Sequence, residues 1–118
     1  MRYHWQHRYF IRVLNDVIDA NVLISTLLKR IKTLPVGHYL DIRSYKRDRY
    51  LYLIKLDQDR FRIVEAGFEQ NDFEVDEPRL KKSLKVLVKR EFPRSNKIRL
   101  YVMGCYETAE RSVRRKTI

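Results

Sequence analysis

Lys82, Lys85 and Lys89 recur at three- and four-residue steps, the spacing that stacks side chains on one face of an α-helix. Arg79 and Arg90 flank them, and Leu80, Leu84 and Leu87 take the opposite face. At 1.5 Å rise per residue, Lys82 to Lys89 spans about 10 Å, enough to meet two or three phosphates of a nucleic-acid backbone. The plain counterpart of such a row is the solvated face of an amphipathic helix. A second constellation is Tyr45-Lys46-Arg47-Asp48-Arg49-Tyr50, where rings and cations interleave at an expected hairpin tip. Tyrosines there can stack on bases while Lys and Arg hold phosphates; their structural counterpart is a buried ring with a wet hydroxyl. The link Arg94-Ser95-Asn96-Lys97 suits an anion or a simple helix-to-strand turn. The candidate nucleic-acid contacts are therefore Arg79, Lys82, Lys85, Lys89 and Arg90 on the helix, Tyr45, Lys46, Arg47 and Tyr50 at the tip, and Arg94 with Lys97 in the link.

No pattern points to catalysis. His4 and His7 have metal-compatible spacing only on a helix, and two imidazoles without a third ligand rarely hold a catalytic metal. His38 beside Gly37 reads as a turn residue, and Cys105, the single cysteine, has no sequence neighbour that would lower its pKa. Glu69, Asp72, Glu74, Asp76 and Glu77 form one acidic cluster, read first as a solvated loop plus a helix cap, with a divalent-cation site or a surface for a basic face of a partner or a second copy as the alternatives. A Gly-rich phosphate loop, a nucleophile elbow and a calcium loop are all lacking. The expectation is no catalytic residue, no metal and no cofactor.

These residues need elements to position them. Asn15-Asp16 can cap a helix whose apolar positions Val17, Ala20, Ile24, Leu27, Leu28 and Ile31 recur at helical steps, stopped by Pro35 and Gly37. From Tyr39 the period becomes two, with Leu40 and Ile42 opposed to Tyr39, Asp41 and Arg43. Tyr50 to Leu56 follows as a central strand, then Asp57-Gln58-Asp59 as a turn, then Phe61 and Ile63 alternating with Arg60 and Arg62. Phe73 and Val75 suggest a short further strand. Asp76 can cap a second helix running to about Glu91, and Ile98, Leu100 and Val102 define a last strand. The expected fold is α+β, an antiparallel sheet of four to five strands with two helices packed on one face, in the order α-β-β-β-(β)-α-β. Residues 1–106 are read as one domain, with 1–14 an arm or short strand, and 107–118 as a basic tail containing Arg111, Arg114, Arg115 and Lys116.

Composition narrows the partners. Among 118 residues, 26 Lys+Arg against 15 Asp+Glu give a net charge of +11, a field that attracts polyanions. No apolar run approaches the about 18–20 residues of a membrane span, and no secretory signal is evident, so a cytoplasmic protein with no membrane partner is expected. The order helix, three antiparallel strands, helix, with Arg79-Leu80-Lys81-Lys82-Ser83-Leu84-Lys85, is similar to double-stranded-RNA-binding domains over about half the chain. The last strand lies outside that likeness. Asp41-Ile42-Arg43, Arg49-Tyr50-Leu51-Tyr52 and Ile63-Val64-Glu65-Ala66-Gly67-Phe68 also resemble the sheet of RelE-type messenger-RNA-cleaving toxins, which would imply acid-base and phosphate roles for Tyr52, Arg62 and Arg99. Where such toxins often carry lysines after the last aromatic, this chain has Glu69 and Asp72. The leading expectation is a non-catalytic module that binds nucleic acid, RNA favoured, or a ribonucleoprotein. A protein-interaction or assembly module using segment 69–77, including a homodimer, and a toxin-like ribonuclease are the alternatives.

Overall fold

Apolar residues at every second position from Leu40 onward must share one side of a sheet, and the two helices can cover it. A computed structural model describes residues 15–46 and 48–107 and shows this arrangement. Six strands, β1 (Asn15–Asp19), β2 (His38–Ser44), β3 (Tyr50–Lys55), β4 (Arg60–Ala66), β5 (Gln70–Asp76) and β6 (Lys97–Cys105), form one antiparallel sheet in the order β1-β6-β2-β3-β4-β5. Two helices, α1 (Leu23–Thr33) and α2 (Glu77–Glu91), complete it. β2 to β5 make a meander, and after α2 the chain returns so that β6 lies between β1 and β2. None of the helices among the described residues is long and apolar enough to cross a membrane.

Register fixes which residues share a face, because directly opposed residues point the same way. Val102, Leu100 and Ile98 face Leu40, Ile42 and Ser44 across β6 and β2. Leu40 and Ile42 continue to Leu53 and Leu51, Leu53 to Ile63, and Ile63 to Phe73. This set packs against Leu23, Leu27 and Ile31 of α1 and Leu80, Leu84 and Leu87 of α2 in one continuous core. Lys55 also points to that side and is buried, its Nζ donating to the carbonyls of Ile31 (3.0 Å) and Lys32 (3.2 Å). A cation thus closes the negative end of α1. Gly37, at φ 92°, makes the turn into β2 in a left-handed conformation that side chains disfavour.

The α+β class with two helices on one face of an antiparallel sheet is as expected, but the strand number and order are not. Among the described residues there are six strands rather than four to five, and a strand stands first instead of the helix in α-β-β-β-(β)-α-β. Asn15–Asp19, read as a cap and first helical turn, pairs with β6. Asp16 accepts from Arg30 at 2.7 Å and Asp19 pairs with Lys97. Val17, expected inward, is 48% exposed on the far face, and Ile18 packs on the core instead. Pairing with a distant strand has overridden local capping chemistry. A 3₁₀ turn, Ala20–Val22, then leads into α1, where the hydroxyls of Ser25 and Thr26 donate to the Val22 carbonyl. α2 forms as expected, with Asp76 accepting from the Arg79 amide at 3.3 Å and a proline in the first turn. The arm at 1–14, Arg47 and the tail beyond residue 107 lie outside the described residues.

Candidate nucleic-acid interface

Along α2, Leu80, Leu84, Leu87 and Glu91 turn inward, which at 100° per residue aims Lys82, Lys85 and Lys89 directly away from the core. All three are exposed, as are Arg79 and Lys81. These five cations are absent from the ion pairs formed among the described residues. Those pairs are Arg30–Asp16, Arg43–Asp41, Arg49 with Asp48 and Glu91, Arg60–Glu74, Arg62–Asp72, Arg90–Glu65 and Lys97–Asp19. Seven of the eight carboxylates in these pairs meet an arginine, whose fork accommodates both oxygens; the lysines of α2 enter none of them, nor do the exposed Glu69 and Glu77 beside the helix.

Two expected contacts are placed differently from the rail. Arg90 turns inward, its Nε and Nη2 donating to Glu65 at 2.9 and 2.7 Å. Lys97 is held by Asp19 across β6 and β1. Arg94 is exposed just beyond α2.

At the β2–β3 tip the aromatic pair diverges. Tyr45 is 55% exposed, with the Arg99 guanidinium 4.3 Å from its ring centroid and Arg99 Nε donating to its carbonyl at 2.9 Å. Tyr50 lies on the helix-free face, stacked on Tyr52 at 4.6 Å with Arg43 over its ring. Lys46 is exposed, and Ser44 Oγ donates to Asp48 at 2.6 Å, which lowers the Asp48 pKa. Arg49 ties the tip to the end of α2, donating to the Glu91 carbonyl at 2.7 Å and covering the Phe68 ring at 4.6 Å.

The helix-free face is a packed ring system. Tyr39 meets Tyr52 and Tyr106 edge-on at 5.2 and 5.1 Å. Beside them Asp41 is buried; burial raises its pKa although Arg43 Nε donates to both its oxygens. Burial, followed by the Asp41 charge, pushes the Tyr52 hydroxyl to about 12, so it stays a neutral phenol near pH 7. Arg62 is clamped to Asp72 through two hydrogen bonds at 2.9 and 2.7 Å and lies over the Tyr106 ring. In the acidic segment Asp72 and Glu74 meet Arg62 and Arg60 and Asp76 caps α2, while Glu69 and Glu77 are exposed and enter none of the ion pairs.

The feature that sequence reading did not single out is a buried carboxyl pair, Glu65 on β4 and Glu91 at the end of α2, 1% and 0% exposed. Glu91 accepts from the amides of Phe68 (2.8 Å) and Glu69 (3.2 Å); Glu65 accepts from Asn71 and Arg90. Desolvation opposes ionisation of both. Hydrogen bonds from Arg90, Glu91 and Asn71 overcome it at Glu65, lowering its pKa to about 2, whereas burial and then the Glu65 partner raise Glu91. The two carboxyls are thus pushed apart, Glu65 toward the ionised form and Glu91 toward a higher proton affinity. The local signal was Gly67, placed where Glu91 comes closest.

Among the described residues no group of three or more His, Cys, Asp or Glu side chains is placed to hold a metal ion. No protein-family model, no curated protein and no solved structure matches the chain.

Proposed function

We propose that this chain is a nucleic-acid-binding module, RNA favoured, that acts without a catalytic step. The observation that carries the reading is the row Arg79, Lys81, Lys82, Lys85 and Lys89 on α2, five exposed cations on one helix that enter none of the ion pairs among the described residues. Such a row releases counterions from a phosphate backbone and positions a strand without reading its sequence. Lys46 and Tyr45 add an exposed cation and an exposed ring at the hairpin tip, while Arg90 acts by holding α2 to the sheet and not by touching phosphate. The preference for RNA follows from the rings and cations interleaved at that tip, which suit unpaired bases. Internal pairing of Asp72 and Glu74 weighs against an acidic docking surface, and the neutral Tyr52 phenol with an Asp72-bound Arg62 weighs against ribonuclease chemistry. Fluorescence anisotropy of a labelled generic RNA should show micromolar or tighter binding at low salt that collapses at high salt. No binding at low salt would exclude the reading.

A further inference from the structure

Between α2 and the edge strand β5 runs a groove of about 460 Å³, within the roughly 300–1,000 Å³ range of small-molecule sites. Asn71 and Phe73 form one wall, and Lys82, Val86 and Arg90 the other. The two-residue period of β5 sorts its charges. Asp72 and Glu74 project to the opposite face, where Arg62 and Arg60 neutralise them, so the groove side of the strand proper is an amide and an aromatic ring. Glu69 at its end is the one carboxylate lining it. On the helix side, the Arg90 N–H edge is already used by Glu65, which fixes a flat guanidinium in the wall, and Val86 is 52% exposed.

The geometry points to this groove as the seat for an unpaired base of single-stranded RNA whose phosphates follow the α2 rail, an inference that rests on the nucleic-acid reading above. Lys82 belongs to both features: it lines the groove and begins the row that continues through Lys85 and Lys89. A strand held there has its phosphates on the outer face of α2 and can turn a base inward between the Phe73 ring and Val86, against the Arg90 plane. Bases stack on aromatic rings and guanidinium planes irrespective of sequence. A duplex, with its bases paired inside, can offer the rail phosphates but nothing to the groove.

The test compares one labelled RNA sequence as a single strand and as a duplex, against the full chain at one low ionic strength. The variants are Phe73→Leu, which keeps apolar volume at a half-buried position, and Phe73→Trp, which keeps a ring; circular dichroism checks their fold. Expected is tighter binding of the single strand. Phe73→Leu should weaken that binding by about 5- to 150-fold, the range for one lost base–ring stack, and leave duplex binding unchanged, while Phe73→Trp should retain the preference. Equal affinity for both RNAs, or single-strand affinity indifferent to Phe73→Leu, would overturn the groove assignment while the rail stands. Silence of both RNAs would overturn the rail and the groove together.

Discussion

A Cβ on Gly67 would stand 2.0 Å from Oε1 of Glu91 and 2.8 Å from its Cδ, closer than any packing tolerates. The glycine is there for that approach, since the Glu91 carboxyl collects the amides of the following two residues. Gly67→Ala must displace a buried carboxyl from its donors, an overpacking and hydrogen-bond loss of about 2–3 kcal/mol, and thermal melting should fall by roughly 8–12 °C. An unchanged melting temperature would mean that the β4–β5 turn shifts freely. The carboxyl pair also predicts a pH response. The folded pKa of Glu91 lies above its ordinary value, so the stability tied to its proton is complete below that ordinary value and is lost as pH rises through the folded one. Glu65, lowered to about 2, works the other way: its contribution is present above its ordinary pKa and is lost as pH falls toward 2. Glu91→Gln cannot ionise, though its amide nitrogen can no longer accept one of the two backbone amides that Glu91 holds. Urea denaturation across pH should therefore show the wild type weakening on the alkaline side and Glu91→Gln, less stable overall, holding level there; parallel curves would exclude a raised Glu91 pKa.

The elements differ in how much of them lies in nearby residues. α2 was legible because its cap, its first-turn proline and its leucine spacing are all local, and Asp76 does accept from the Arg79 amide. Asp76→Ala should cost about 1 kcal/mol in chemical denaturation and Asp76→Asn far less; equal losses would assign the effect to charge and not to the cap. β2, β3 and β4 were legible for the same reason, each alternating between turn signals. β1 was not. Asp16 and Asp19 are as suitable for a helix start as for a salt bridge, and what decided between them was β6, whose Lys97 is 78 residues from Asp19. The lysine rail could be read from α2 alone, whereas the inward turn of Arg90 depends on Glu65, 25 residues earlier. The groove has one wall from β5 and one from α2, so no single stretch of sequence announces it.

For the whole molecule the question is where the positive charge acts. Three of the eleven net charges lie in residues 1–14 and three in residues 108–118, leaving five on 15–107. Polyanion attraction by itself would therefore be satisfied by the chain ends, and binding at low salt does not single out α2. The salt dependence does. Each phosphate contact on a single strand contributes about 0.7 to the slope of log K against log salt. If Lys82, Lys85 and Lys89 lie along the backbone, replacing all three with Gln should reduce the slope for single-stranded RNA by about 2. Gln has nearly the helix propensity of Lys, so α2 is retained. The comparison is the replacement of Arg111, Arg114 and Arg115 by Gln in the full chain, which removes the same charge from the end. A rail on α2 requires the helix variant to lose the larger slope and also affinity at physiological salt, where diffuse attraction is screened within about 8 Å. Equal losses from both variants would make the interaction a property of net charge, and α2 an ordinary solvated helix.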